Sequence, residues 1–172
     1  MCLTAKEKQV KAIMEGAFIP SLHHVLSTSS PDKYTRWGGN ACRQTAIFGT
    51  KILQQLLPEY KWTAWDGYFS DRINGQFVKY NHAWIYGYNG SDRGLLVDLS
   101  RNHHERLFVP VKANKYPKDH PSYKQMRLIR KEQMNIEEGL NTVEYYTGRL
   151  GNLVLSSVLL LMTDKNSIDN TN

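Results

Sequence analysis

Between Gly38 and Pro58 the chain carries one helix with both ends marked, and the stretch after it reads as strand. Gly38-Gly39 allow positive φ angles and a close approach just ahead of the helix. Asn40 is a candidate N-cap. Ala46, Gly49, Ile52, Leu53, Leu56 and Leu57 then fall on one stripe, and Pro58 stops it. Lys61 to Tyr68, Gln76 to Tyr88, Gly94 to Leu99 and Arg106 to Val111 follow as strands rich in aromatic and branched side chains. Ser70 to Gly75 and Asn89-Gly90-Ser91-Asp92 are the turns between the first three. A helix followed by strands on short connections predicts an α+β fold, with a small antiparallel sheet packed against the helix.

The flanks are expected to be helical. Thr4-Ala5-Lys6-Glu7 has the capping-box pattern. Val10, Ile13, Met14 and Ala17 predict an amphipathic helix over residues 5–17, ended by Pro20. Leu22 to Leu26 adds a short helical turn, and Ser27 to Pro31 reads as a loop. Beyond the sheet, Tyr123, Met126 and Ile129 predict a helix from Ser122 to about Glu138, followed by another over 140–162 and a polar tail from Thr163. The expectation is one domain over 1–172, with its core at about 36–111 and helical flanks at 1–30 and 120–162.

Composition narrows the class. A chain of 172 residues with a hydrophobic fraction of 41% can bury a real core. Its two cysteines, Cys2 and Cys42, make no disulfide framework. Lys6, Lys8 and Lys11 interrupt any signal-peptide pattern, and the apolar run Leu153 to Met162 is about half of a membrane span. A cytoplasmic protein without a membrane partner is expected. The net charge of +6 is concentrated between Arg101 and Lys131, where nine Lys/Arg face two acidic residues, but these are scattered and read as a solvated face. Tyr80, Trp84, Tyr86 and Tyr88 alternate as a core face requires, so nucleic acid is not the expected partner. The pairs His23-His24 and His103-His104 diverge, with no ligand cluster beside them, so no metal or cofactor is expected.

The chemistry concentrates on three residues. Cys42 opens the marked helix, where the positive end of the helix dipole favours thiolate. First-turn N–H groups without helical partners can hold an oxyanion. A thiol nucleophile needs a base, and a base needs a group that fixes its orientation. His82 follows Cys42 by 40 residues, room for a helix and a returning strand, and Asp98 follows His82 by 16. Register decides whether the last two meet. A loop centred on Gly90 sets His82 directly opposite Asp98 on one side of the sheet. A two-residue turn at Asn89-Gly90 sends Asp98 to the other side. The triad reading therefore requires an odd loop of three or five residues, or a bulge.

Gly-Gly-Asn-Ala-Cys-Arg-Gln-Thr-Ala, then Trp65-Asp66-Gly67-Tyr68, His82-Ala83-Trp84 and Leu96-Val97-Asp98 together resemble the transglutaminase-like core over about residues 36 to 100. The chain departs from that pattern in having two residues between the glycines and Cys42, and Leu99-Ser100 after the aspartate. The resemblance implies a broadly papain-like fold, with Cys42 as nucleophile, His82 as base and Asp98 as orienting acid. It implies a thioester intermediate and a protein or peptide amide substrate, handled by hydrolysis, deamidation or transamidation. Asn40 and Trp37 are candidates for the second oxyanion donor, and Trp84 for a cleft wall or core position. The rival readings are a cell-wall amidase of the NlpC/P60 or CHAP type and a non-enzymatic binding or assembly protein.

Overall fold

The computed structural model describes residues 1–36, 38, 40–101, 105–112 and 127–138, the backbone alone for 127–131. The described residues are α+β: helices lie on one face of a five-stranded antiparallel sheet. Among them, no helix is long and apolar enough to cross a membrane.

The N-terminal helix forms with the expected cap. Thr4 Oγ1 accepts the Glu7 N–H at 3.2 Å, and the Glu7 carboxylate accepts the Thr4 N–H at 2.8 Å. Pro20 does not end the helix. α1 (Ala5–Ile13) passes through a π-helical turn, Met14–Phe18, into α2 (Ile19–Ser29), with proline in the first turn of α2. The reason is local. The Ile19 N–H reaches back five residues to the Met14 carbonyl, and this widened turn accommodates a residue with no N–H to give. The expected loop from Ser27 is also absent: α2 runs to Ser29, and α3 (Pro31–Arg36) begins at the proline. Pro at the first helical position loses nothing there.

The marked helix is α4 (Cys42–Leu56), and it forms the central layer. Gly49 explains how closely it approaches its neighbours. A Cβ on Gly49 would stand 2.7 Å from Ile85 Cδ1 and 3.4 Å from both Met14 Cε and Phe18 Cε1. The glycine therefore marks where α4 is pinched between the N-terminal helix and the sheet. Met14, Phe18, Leu22, Leu53, Ala64, Ile85, Leu95 and Val97 belong to this helix-side core.

The strands are β1 (Lys61–Ile73), β2 (Gln76–Tyr88), β3 (Arg93–Asp98), β4 (Leu107–Lys112) and β5 (Arg127–Gln133), in the order β4-β3-β2-β1-β5. β1 is longer than the sequence suggests. The turn is only Asn74 and Gly75, at φ 51° and 81°, the two positive angles a tight hairpin turn needs. Ser70 to Ile73 remain in the ladder. On the sheet's second face Phe69, Trp84 and Leu96 form a separate core cluster.

The largest departure is β5. Residues 127–133 form a strand where helix is expected, paired antiparallel with β1 from Trp65↔Gln133 to Ser70↔Arg127, with an irregularity between Tyr68 and Phe69. Lys, Arg, Glu and Gln are good helix formers, but β1 has a second edge to be paired, and ladder hydrogen bonds outweigh propensities of tenths of a kcal/mol. The chain then turns over the edge: the Met134 N–H donates to the Ala64 carbonyl at 2.9 Å, and Met134 and Ile136 pack against the helix-side core. The helix expected over 140–162 and the tail lie outside the described residues.

Candidate active site

Cys42 is the first residue of α4 and is half-buried against the helix-side core. Gly38, at φ 58°, turns the chain ahead of it. Asn40 is not the N-cap. Ala41 holds that position, its carbonyl accepting the Thr45 N–H at 2.8 Å, while Asn40 Oδ1 accepts the Cys42 N–H at 3.2 Å. The carboxamide thus covers a first-turn donor from one residue further upstream. Trp37, the other candidate for oxyanion donor, lies outside the described residues.

The neighbour of the cysteine anchors this end of the helix. Arg43 forms an ion pair with Asp66 on β1, and the Asp66 side chain is 10% exposed. In the β1–β2 ladder Asp66 stands opposite Ala83, and Gly67 opposite His82. The first turn of α4 is therefore tied within one residue of the histidine's row. The ladder between β2 and β3 runs from Tyr88↔Gly94 to Ile85↔Val97, so His82 lies beyond its end. There the Cys42 side chain is near enough to favour its protonated form.

His82 Nε2 lies 2.8 Å and 2.9 Å from the two carboxylate oxygens of Asp98. A carboxylate only accepts, so Nε2 carries the proton and Nδ1 is the nitrogen left for the thiol. Both side chains are about 95% buried. Burial disfavours the imidazolium, but the Asp98 charge and hydrogen bond, with a smaller contribution from Cys42, prevail and raise the His82 pKa to about 10.

The loop between β2 and β3 has the parity the triad needs, though not the expected register. Five residues, Asn89–Arg93, separate the Tyr88↔Gly94 pair. Asn89 Oδ1 accepts the Ser91 N–H at 3.1 Å, and Gly90 takes φ 83°. Continued one pair past Ile85↔Val97, this register sets Asp98 across from Trp84, so His82 meets it on the diagonal instead of face to face. Diagonal neighbours start about 7–8 Å apart at the backbone, a span that an imidazole and a carboxylate close between them.

Other side chains complete the surroundings. Trp84 is 1% exposed and packs edge-on against Phe69 at 5.4 Å, a core position and not an open wall. Phe69 and Tyr80 stand 6.0 Å and 6.5 Å from the His82 ring. The Tyr80 hydroxyl donates to Asp71 Oδ2 at 2.8 Å, and burial together with that bond raises its pKa. Arg101, which the sequence reading passed over, places Nε 3.5 Å from Asp98 Oδ2, with its side chain 3% exposed. Its only sequence signal is its position three residues after the aspartate.

His23 Nδ1 pairs with the Tyr34 hydroxyl at 2.7 Å, while His103 and His104 lie outside the described residues. Among the described residues no three His, Cys, Asp or Glu side chains are grouped to hold a metal. In comparisons with known proteins, the chain matches no family model, no curated protein and no solved structure.

Proposed function

We propose that the chain is a cysteine-dependent amide or peptide hydrolase of the transglutaminase-like kind. The observation that carries this reading is the His82 imidazole, bound to both oxygens of Asp98 and favoured in its protonated form by that carboxylate and by the Cys42 side chain at the start of α4.

In the proposed reaction His82 Nδ1 takes the thiol proton, and the resulting imidazolium is stabilised by Asp98. The thiolate attacks the carbonyl carbon of an amide, and the carbonyl electrons move onto oxygen. The Cys42 N–H is the nearest first-turn donor for that oxyanion, and the Asn40 carboxamide must release it. On collapse the C–N bond breaks, the imidazolium protonates the leaving amine, and the acyl group remains on sulfur as a thioester. Water, deprotonated by His82, then releases the acid and restores the thiol. An amine in place of that water gives transamidation, and a side-chain carboxamide as substrate gives deamidation. Hydrolysis is the reading proposed because it requires no second substrate site.

The test compares the two cysteines, since Cys2 is exposed and free. Iodoacetamide at about pH 6, followed by intact-mass analysis, should label Cys42 at least tenfold faster than Cys2, because an ordinary thiol is under roughly 1% thiolate there. His82→Ala should remove the advantage. Labelling of Cys42 no faster than Cys2 would overturn the reading in favour of a non-catalytic binding protein.

A further inference from the structure

We propose that Arg101 is a positioning residue of this site, fixing the Asp98 carboxylate behind His82 and balancing its charge. The proposal rests on the thiol-enzyme reading of Cys42, His82 and Asp98.

The geometry is that of a row. The His82 Nε2–H spans both oxygens of Asp98 at 2.8 Å and 2.9 Å, and Arg101 Nε stands 3.5 Å from Oδ2. A second N–H of the same guanidinium, on Nη1, donates to the Glu105 carbonyl at 2.9 Å, which fixes where the fork points. At 3.5 Å the contact with Asp98 is longer than a good hydrogen bond, so its main effect is electrostatic. Both side chains are at least 95% buried, where such a field is little screened. A guanidinium is buried so completely only where an anion compensates it.

The charges explain what the arginine is for. With the ion pair formed, thiolate, imidazolium, carboxylate and guanidinium alternate in sign and sum to zero. Without Arg101 the same buried row is net negative, and the proton leaves the thiol less readily. Among the described residues, Tyr80 of β2 also feels the charges of both Asp98 and Arg101 and is bonded to Asp71 of β1. Cys42 approaches from α4.

The experiment is the pH profile of Cys42 alkylation by iodoacetamide, read by intact mass from about pH 4 to about pH 11. Wild type, Arg101→Met and Arg101→Lys are compared. The wild-type rate should rise in two steps, first as the ion pair forms and then as the imidazolium loses its proton. Removing a cation makes the thiolate harder to form and the imidazolium harder to deprotonate. In Arg101→Met both steps should therefore move up by roughly half to one pH unit. Arg101→Lys, which keeps the charge, should retain the wild-type steps. A merely structural arginine would change the overall rate and leave the steps in place, and that result overturns the proposal. A lysine variant displaced as far as the methionine variant overturns it too. If Arg101→Met does not fold, Arg101→Gln carries the same comparison. A wild type that lacks the low-pH step removes the thiol-enzyme reading and this proposal together, whereas a wild type with that step and unmoved variants removes the proposal alone.

Discussion

His82 and Asp98 meet diagonally across the end of the β2–β3 ladder, with one imidazole N–H shared between both oxygens of one carboxylate. The bond fixes the tautomer and leaves Nδ1 for the thiol. It also holds a positive charge in a place where burial alone would expel it.

Asp98→Asn keeps the shape and removes the charge. The imidazole pKa should fall from about 10 toward its ordinary 6.5, followed by the NMR titration of the His82 ring. Labelling of Cys42 by an amide-directed thiol probe near neutral pH should drop by roughly one to two orders of magnitude. An unchanged titration would remove Asp98 from the site.

Loop length sets whether the pair exists. Deleting Asp92 leaves four residues between Tyr88 and Gly94 and turns Asp98 to the opposite face of β3. The His82 titration of the deletion variant should then resemble that of Asp98→Asn. A change in the loop that is not a change in parity, such as Asp92→Asn, should leave it as in the wild type.

The raised pKa of His82 is also a statement about stability. Its folded value lies above its unfolded value, so the imidazolium's contribution is complete below about pH 6.5 and is lost as pH rises through about 10. Tm should fall across that window. His82→Gln should flatten this part of the Tm profile. A wild-type profile as flat as the variant's would contradict the assigned charge.

Much of this was readable from residue order, and the failures are as informative. The helix at Cys42, the strands carrying His82 and Asp98, and the capping box at Thr4 rest on short-range patterns that the structure repeats. Pro20 misled because a π-helical turn relieves a proline without stopping the helix. β5 misled because its partner is β1, some sixty residues away, and no local pattern records that an edge needs pairing. Arg101 was passed over for the same reason: a guanidinium is recognisable as a partner only once the carboxylate it faces has been placed.

Glu7 is the buried centre of a second network. It accepts from the Tyr60 hydroxyl at 2.6 Å and from Arg93 Nε at 3.0 Å, and its side chain is 3% exposed. Burial raises the Glu7 pKa, but hydrogen bonds from Arg93, Tyr60 and Thr4 overcome that and lower it below 4.5. Its contribution is therefore present above the unfolded pKa and lost as pH falls through the folded one. Arg93→Met leaves this carboxylate buried without its cation and should cost about 3–5 kcal/mol in urea denaturation. Adding Glu7→Gln to that variant should recover part of the loss, and no recovery would mean that the two residues act separately.

Arg93 is both the partner of Glu7 and the last residue of the five that separate Tyr88 from Gly94. The contact that holds this loop closes over 86 residues of chain. Alignment of β3 is thus secured by the docking of the amino-terminal helix, one of the most distant encounters among the described residues. Contacts of such separation are reached late and slowly in folding. The side chains that would do chemistry are brought into line by a helix that precedes all of them in the chain.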